Sequence, residues 1–316
     1  MLTATQKKTA QAIVNIFETG SVLGDYGNVT LLPGDTGHLT FGRSQVTLGS
    51  GNLHNLLRQY CDNPGARFGA PLHQYLSRLQ SRDLSLDHDQ YLHNLLQASA
   101  DDVVMRETQD VFFDHRFWQS AERIAGQIGI TTPLGVAVIY DSVVHGSVVR
   151  MRDRTNEQAG TLAALGEQLW IEAYVRTRRA WLAGNRLDLR PTVYRMDAFQ
   201  RLIDQGYWGL ELPLVVRGLE MSRVTLEATP AGCFDGPQPG SRTLAVQTPL
   251  IRGLDVRLVQ LGLSALRTNI KADGIYGNTS ARCIREYQAA HGLPATGIAD
   301  LSLIAQLVAC GTNFSG

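Results

Sequence analysis

The sequence predicts an α+β protein, mainly α, in which a large N-terminal domain precedes a small helical domain. Apolar residues recur at helical spacing through most of the first part of the chain, and a short β-rich stretch with Pro-Gly turns interrupts them at residues 28–42. A segment dense in Pro, Gly and Ser then breaks the pattern, and helical periodicity resumes after it. We therefore expect a large domain over residues 1–230, a linker over residues 231–244 and a three-helix domain over residues 245–316.

The composition is that of a globular protein without a charge excess. The chain has 316 residues, of which 44% are hydrophobic and 18% are charged, so it can bury a substantial core. Lys plus Arg number 29, as do Asp plus Glu, so no overall field favours nucleic acid or a membrane surface as a partner. The longest apolar run, Leu134 to Tyr140, is too short to cross a bilayer. We expect a monomer.

Cysteine and motif content predicts no cofactor and no metal. The four cysteines lack the spacing of metal ligands and are too few for a disulfide scaffold. We expect most of them to be buried thiols, and only Cys283 and Cys310 are candidates for a bridge. Segments 87–89 and 114–115 contain Asp and His, but neighbouring residues on a helix point in different directions. Both segments are interpreted as solvated faces.

Two acidic residues carry the strongest chemical signal. Glu18 lies at the end of a predicted helix over residues 5–17, and Asp35 lies in the turn of a predicted hairpin. One carboxyl group can give a proton to a leaving oxygen while the other activates water, which is the division of labour in glycosidases. Either acid alone is more often structural. Gly34 and Gly37 around Asp35 allow a substrate to approach the backbone, and Thr40 offers a hydroxyl that can hold a water.

Several segments in order along the chain resemble family 46 glycoside hydrolases, the chitosanases of the lysozyme-like superfamily. The resemblance spans most of residues 10–195 and implies a two-lobed, lysozyme-like catalytic domain with a small sheet. The matching segments are Glu18, Tyr26, residues 35–42, Ser50-Gly51-Asn52, residues 134–146 and residues 174–181.

The resemblance implies a role for each matched residue. Glu18 would be the general acid, Asp35 the general base and Thr40 the residue that positions the attacking water. The reaction would invert configuration, which requires the two carboxyl groups to lie roughly 6.5 to 9.5 Å apart. Asp141 and Arg178 match a buried charge network behind the general acid, although an ordinary structural ion pair is the alternative. Among the other matched residues, we assign Tyr26, Gly37, His38 and Asn52 to substrate binding.

Two departures from the family pattern bear on the substrate. Family chitosanases carry an acidic residue, which recognises the amine of glucosamine, where this chain has Asn52. The family's Arg after the catalytic base is replaced by Gly37, next to His38. A neutral amide can hydrogen-bond an N-acetyl group but cannot neutralise an ammonium group, so Asn52 favours an acetylated sugar. Drift at a single position is the alternative explanation.

The C-terminal domain resembles peptidoglycan-binding three-helix domains. The resemblance lies in segments 256–263, 272–277 and 283–297, and it implies a glycan-binding groove near Asp273 and Tyr276. The alternative is a packing module that has lost its affinity.

These observations together predict a lysozyme-type hydrolase that cleaves the β-1,4 glycan strand of peptidoglycan. A chitosanase and a non-catalytic wall-binding protein are the alternatives. Wall hydrolysis would take place in the periplasm or outside the cell, yet the N-terminus shows no signal peptide. A mature form, a fragment of a toxin, a phage endolysin and a secreted effector therefore stay open, as does an immunity protein that blocks the groove.

Overall fold

The computed structural model describes residues 2–184 and 189–312. Residues 185–188 lie outside the described residues. The chain forms two compact units, each built from two stretches of sequence. The first unit comprises Met1–Gly24 and Phe113–Ala228, and the second comprises Asp25–Phe112 and Thr229–Gly316.

Helices predominate in both units, and the strands are short. The α-helices are α1 Ala4–Thr19, α2 Asn52–Cys61, α3 Gly69–His73, α4 Leu76–Gln80, α5 Gln90–Ser99, α6 Val103–Phe113, α7 Gln119–Ile128, α8 Pro133–Val144, α9 Val148–Ala159, α10 Leu162–Leu165, α11 Glu167–Gly184, α12 Tyr194–Asp204, α13 Arg223–Leu226, α14 Leu254–Ala265, α15 Asn278–Ala290 and α16 Leu301–Thr312. The strands are β1 Val29–Thr30, β2 Thr40–Phe41, β3 Val46–Thr47, β4 Leu214–Val216, β5 Leu219–Met221, β6 Ile251–Arg252 and β7 Ile275–Tyr276. Short 3-10 segments lie at Leu84–His88 and Arg190–Val193, and a π-helical segment lies at Asp114–Trp118.

The first unit is organised around the apolar helix α8. Thr132 caps the start of α8 by accepting a hydrogen bond from the Gly135 amide, and Pro133 suits the first turn because that position needs no amide donor. Helix α1 packs against α8. A capping box between Thr3 and Gln6 begins α1, and Gly20 ends it with a φ of 70°. These signals fix where the last turn of α1, which carries Glu18, is placed.

The second unit contains a three-stranded antiparallel sheet in the order β1-β2-β3. Val29 pairs with Phe41, and Phe41 pairs with Val46, so the buried Phe41 is central to the sheet. Leu39 and Phe41 are fully buried in an apolar cluster that also includes Leu254 of α14. The C-terminal helices therefore share a core with residues 25–112. A further cluster, which includes Val259, lies among the C-terminal helices themselves.

The structure changes several predictions about individual elements. The sequence of residues 89–113 has a continuous helical pattern and predicts one helix, but the structure has two, α5 and α6. Residues 100–102 form a turn between them, in which the Asp102 carboxylate accepts a hydrogen bond from the Val104 amide. Strand β3 and helices α9 and α12 were not predicted. The apolar periodicity of helix α9 is weak, because its buried residues are Met151 and the polar Thr155.

Two expectations about polar segments and cysteines are corrected. Asp87 is 7% exposed, and the half-buried Asp114 accepts a hydrogen bond of 2.6 Å from Gln11, so these two carboxylates do not lie on solvated faces. The histidines of both segments, His88 and His115, are exposed as predicted. Cys283 and Cys310 both lie among the described residues and are free thiols, so the candidate bridge is not formed.

Within the described residues, no helix combines the length and the apolar character that crossing a membrane requires.

Candidate active site

The first unit holds Glu18 at the exposed end of α1. The end of this helix is fixed by Tyr194, whose hydroxyl donates a 2.7 Å hydrogen bond to the carbonyl oxygen of Phe17. The Phe17 ring packs edge-on against Tyr194 and Phe199, with ring centroids 5.9 and 5.5 Å apart. An unpaired carbonyl in the last turn of a helix therefore gains a partner from α12. The backbone that carries Glu18 is held while its side chain stays 43% exposed.

A chain of charged side chains runs from Glu18 into the core of the first unit. The Nη2 atom of Arg195 lies 2.5 Å from Oε1 of Glu18, and its Nη1 atom lies 2.7 Å from Oδ1 of Asp141. The other carboxylate oxygen of Asp141 accepts a 2.5 Å hydrogen bond from Nη1 of Arg178. Nη2 of Arg178 lies 3.1 Å from Nδ1 of His145. Asp141 and Arg178 are fully buried and Arg195 is 3% exposed, so this network is shielded from solvent.

The electrostatics of this network keep Arg195 charged and His145 neutral. Burial by itself lowers the pKa of Arg195, but the carboxylates of Asp141 and Glu18 outweigh it and raise that pKa. The pKa of His145 is lowered, first by burial and then by the guanidinium groups of Arg195 and Arg178. A neutral imidazole can accept a hydrogen bond at Nδ1, which is what the Arg178 guanidinium offers.

Asp35 lies in an exposed turn of the second unit, between β1 and β2. Its amide donates a 3.1 Å hydrogen bond to the carbonyl of Leu32, and its carboxylate oxygen Oδ1 accepts a 2.9 Å hydrogen bond from the Gly37 amide. A Cβ atom at Gly37 would lie 3.1 Å from Oδ2 of Asp35 and 3.1 Å from the Thr47 methyl group. The glycine thus leaves space beside the carboxylate that a larger residue would fill.

Thr40 begins strand β2 and pairs with Thr30 and Thr47 across the sheet. Its hydroxyl donates a 2.9 Å hydrogen bond to the carbonyl of His38. That bond uses the hydroxyl proton and leaves lone pairs of the oxygen available to accept a hydrogen bond from a water. Thr40 is 7% exposed, so only a small part of it is accessible.

The buried Asp87 holds the backbone between Asp35 and Thr40. One of its carboxylate oxygens accepts a 2.8 Å hydrogen bond from the amide of Leu39, and the other lies 2.8 Å from Nδ1 of His38. His38 has a φ of 59°, in the left-handed region that a non-glycine residue rarely adopts. The two bonds to Asp87 compensate for that conformation, so His38 orders the turn through its side chain.

Tyr26 and Asn52 occupy different surroundings in the second unit. The Tyr26 hydroxyl donates a 2.6 Å hydrogen bond to Asp110, which also pairs with Arg43, and the tyrosine is 6% exposed. Asn52 is the first residue of α2 and is partly exposed, and its amide donates to the Ser50 hydroxyl over 3.2 Å. Asn52 therefore presents a neutral carboxamide at the surface, whereas Tyr26 is tied into a hydrogen-bonded cluster.

The structure corrects the assignment of Tyr276 to glycan binding. Tyr276 is fully buried, and its hydroxyl donates a 2.9 Å hydrogen bond to the carbonyl of Gly297, so its ring belongs to the core of the C-terminal helices. The half-buried Asp273 accepts hydrogen bonds of 2.9 Å from the Gln260 side chain and from the Ile275 amide, which stabilise its turn.

The structure brings together Glu18, Asp141 and Arg178 in the first unit, and Asp35, Gly37, His38 and Thr40 in the second. Sequence reasoning missed Arg195, which links Glu18 to Asp141, and Asp87, which anchors the turn. Arg195 lies in the Tyr194-Arg195-Met196-Asp197 start of α12, where Met196, Phe199 and Leu202 give a helical apolar spacing that could have located it. Asp87 gave no comparable signal.

Comparison with known proteins identifies the family of two parts of the chain. Residues 12–214 match the model of glycosyl hydrolase family 46, and residues 252–307 match a putative peptidoglycan binding domain. A chitosanase of Bacillus subtilis strain 168 is 28% identical over 242 residues, which cover 70% of this chain and 85% of the relative.

Solved structures of chitosanases have a similar fold. A mutant chitosanase from Bacillus subtilis, complexed with 6 GlcN, is 26% identical with a TM-score of 0.53, covering 69% of this chain and 96% of that chain. A Gynuella sunshinyii family 46 chitosanase in complex with chitotetraose is 25% identical with a TM-score of 0.53, covering 70% of this chain and 98% of that chain. The expected family, its lysozyme-like fold and the C-terminal peptidoglycan-binding domain are thereby confirmed. The chain belongs to glycosyl hydrolase family 46 and is a glycoside hydrolase.

Proposed function

We propose that the protein is an inverting endo-hydrolase that cuts the β-1,4 glycan backbone of bacterial peptidoglycan, a lysozyme-type activity. The observation that carries this proposal is the joining of a family 46 domain, residues 12–214, to a peptidoglycan-binding domain, residues 252–307, in one chain. The neutral Asn52 supports it, because a carboxamide can bind an N-acetyl group and cannot balance the charge of an amine. The protein would accordingly act on the cell wall.

In the proposed reaction, Glu18 donates its proton to the glycosidic oxygen as the bond to the anomeric carbon breaks. Asp35 takes a proton from a water held by Thr40, and that water attacks the anomeric carbon from the opposite face, which inverts its configuration. Glu18 then carries a negative charge, which pairs with Arg195 as in the structure. When Glu18 takes up a proton for the next turnover, Arg195 keeps Asp141 as a partner. The Arg195 charge is therefore never left unpaired.

The test is hydrolysis of purified sacculi, with reducing ends measured and the released muropeptides identified by mass spectrometry. We expect the wild type to release saccharides with the α-configuration at the new reducing end, visible by proton NMR before mutarotation. Glu18→Gln and Asp35→Asn should each lose activity by about 100-fold or more, since general acid and base catalysis contributes roughly 10²- to 10⁴-fold. Release at the wild-type rate by Glu18→Gln would show that another group is the acid.

Chitosan is the second candidate substrate, and the relatives favour it. The curated relative is a chitosanase, and two solved relatives were crystallised with 6 GlcN or with chitotetraose. The same reducing-end assay on deacetylated chitosan decides between the two candidates. Activity on chitosan without activity on sacculi would replace the peptidoglycan assignment.

A non-catalytic wall-binding protein would bind sacculi without producing reducing ends from either polymer. The intact set of Glu18, Asp35 and Thr40 supports the enzymatic proposal over this one, because attachment alone requires none of their chemistry.

A further inference from the structure

The first helix of the peptidoglycan-binding domain is part of the fold of the second unit. Leu254, Leu258 and Leu261 of α14 belong to the same buried apolar cluster as Leu92 and Leu95 of α5. The surface where the C-terminal segment meets residues 25–112 is called the seam below. Because apolar burial of this kind is the main stabilising term in domain packing, the seam is a fixed feature of the unit.

Polar contacts also hold the seam in one arrangement. The Asn94 carboxamide donates hydrogen bonds of 2.8 Å to the Ser264 hydroxyl and to the Ile270 carbonyl, and it accepts one of 3.0 Å from the Ala272 amide. Tyr91 donates a 3.0 Å hydrogen bond to the carbonyl of Gly311. A buried carboxamide with three partners on the opposite side of the seam permits little displacement of the two sides.

Two open cavities lie along the seam, and Gln90 lines both of them. One has a volume of about 580 Å³ and is lined by Asp25, residues 27–29, one side of α5, and Ala231, Gly232 and Lys271. The other has a volume of about 500 Å³ and is lined by Tyr75, residues 88–91, Ser264, Ala265 and residues 267–269. Each volume lies within the roughly 300 to 1,000 Å³ of ordinary ligand sites. Gln90 itself is exposed, so both cavities are open to solvent beside it.

The lining of the cavities is polar and balanced in charge. Asp25 and Lys271 line the larger cavity, and Asp89 and Arg267 line the smaller one, so each cavity has one acidic and one strongly basic side chain. Such a lining does not attract a polycation or a polyanion. The remaining lining offers carboxamides and, in the smaller cavity, two tyrosine rings, Tyr75 and Tyr91.

His93 lines the larger cavity with a neutral ring. Its ring donates to the carbonyl of Leu86, and burial lowers its pKa, so the neutral imidazole keeps a lone pair on Nε2. This nitrogen is buried, and the described residues provide it with no hydrogen-bond partner. The neutral ring therefore adds no charge to the lining of this cavity.

We propose that the seam is a second saccharide site, which takes a neutral N-acetylated oligosaccharide and contains none of the residues assigned to catalysis. Carboxamides hydrogen-bond the hydroxyl and acetamido groups of such a ligand, and tyrosine rings pack against the apolar faces of its sugar rings. The site requires both residues 25–112 and the C-terminal segment after residue 228, since residues of both line each cavity. It goes beyond the proposed hydrolysis, because it holds the polymer without cutting it.

The test measures binding of tetra-N-acetylchitotetraose by calorimetry to the full chain carrying Glu18→Gln, so that the probe is not consumed. Adding Gln90→Trp should fill the entrance shared by the two cavities and weaken the binding that the seam contributes by at least tenfold. Adding Gln306→Ala, which removes an exposed glutamine elsewhere in the C-terminal helices, should leave binding unchanged. Fully deacetylated chitotetraose should bind the seam at least tenfold more weakly than the acetylated probe.

Identical isotherms for Glu18→Gln with and without Gln90→Trp would overturn the seam site. If the tryptophan variant fails to fold, Gln90→Ala serves instead, since it removes the carboxamide that both cavities share and should also weaken binding. This experiment does not depend on turnover. The substrate assignment can therefore fail in the reducing-end assay while the seam site stands, and the reverse also holds.

Discussion

Arg195 connects the exposed carboxylate of Glu18 to the fully buried carboxylate of Asp141. Its two terminal nitrogens lie 2.5 Å from Glu18 and 2.7 Å from Asp141, and the arginine itself is 3% exposed. The planar guanidinium can make both contacts only in one orientation. The position of the proposed acid is therefore fixed by a residue on α12, 177 positions later in the chain.

The first prediction concerns Arg195→Lys, which keeps the positive charge and removes the pair of guanidinium nitrogens that contact Glu18 and Asp141. A lysine ammonium cannot contact Glu18 and Asp141 in this geometry at once, so Glu18 loses its fixed orientation. We expect kcat to fall by about 100-fold with little change in KM, since a displacement of about 1 Å at a reacting group can cost that much. Arg201→Lys, at an exposed position of the same helix, is the matched control and should retain wild-type kinetics. Steady-state assays that find kcat preserved in Arg195→Lys would refute the positioning role.

The lowered pKa of His145 predicts that the stability of the protein depends on pH. Its pKa is lowered in the folded state by burial, Arg195 and Arg178, against the opposing charges of Asp141 and Glu18. Between the usual value of about 6.5 and this lower value, the unfolded chain binds a proton that the folded protein does not. The free energy of unfolding should thus decrease as the pH falls below about 6.5, by at most about 1.4 kcal/mol per pH unit for one proton.

The measurement compares urea unfolding of the wild type and of His145→Gln at pH 7.5, 6.5 and 5.5. The glutamine variant should lose less stability on acidification than the wild type, because it lacks this titrating group. Other groups, including His93, whose pKa is also lowered by burial, contribute equally to both proteins. Parallel pH profiles for the two proteins would rule out the contribution of His145.

The main helices were predictable because their signals are local. Gly20 ends α1 at Thr19, within two residues of the predicted end, and Thr132 with Pro133 begins α8. The turn that carries Asp35 was also predictable, since Pro and Gly bracket it. By contrast, α5 and α6 appear as one helical pattern in the sequence. The hydrogen bond from the Val104 amide to Asp102 that separates them depends on where the chain turns.

The candidate site was predictable only where a short segment determines it. Glu18, Asp35 and Thr40 stand out by type and local context, whereas Arg195 and Asp87 act on residues that are distant in sequence. Asp87 contacts Leu39 from 48 positions away, and its neighbours His88 and Asp89 made the segment resemble a solvated loop. The assignment of Tyr276 to glycan binding was wrong for a related reason. Tyr276 is buried, and burial of a side chain depends on tertiary packing that its own segment does not specify.

Asn52→Asp should shift activity towards glucosamine polymers. An acidic side chain at this position restores the negative charge that family chitosanases carry there. A carboxylate about 4 Å from an ammonium group gains about 1 kcal/mol in water and about 4 kcal/mol near a protein surface. We expect kcat/KM on chitosan to rise by about tenfold and activity on sacculi to fall. Asn55→Asp, at an exposed position of the same helix α2, adds the same charge and should change neither activity. Equal rates for Asn52→Asp and the wild type on both polymers would mean that this position does not select the substrate.

Arg257→Ala should destabilise the second unit, and more so at high pH than at low pH. Arg257 donates hydrogen bonds of 3.0 Å to the Gln97 carbonyl and 2.6 Å to the Gly232 carbonyl, and its Nε atom lies 3.2 Å from Asp101. Burial raises the pKa of Asp101 to about 6, partly offset by Arg257. The folded protein therefore holds a proton that the unfolded chain releases between about pH 4 and pH 6, and stability falls as the pH rises through this window.

The sign of the effect follows from the charge on Asp101. At pH 8 Asp101 is ionised, so removing Arg257 leaves a buried carboxylate without its partner, which costs about 3 to 5 kcal/mol. At pH 5 Asp101 is mostly protonated, so only the two carbonyl contacts and the packing of Arg257 on Phe234 are lost. The difference should appear in urea unfolding of both proteins at the two pH values, with the exposed Arg252→Ala as control. An equal loss of stability at pH 5 and pH 8 would mean that the Asp101 charge contributes nothing to this contact.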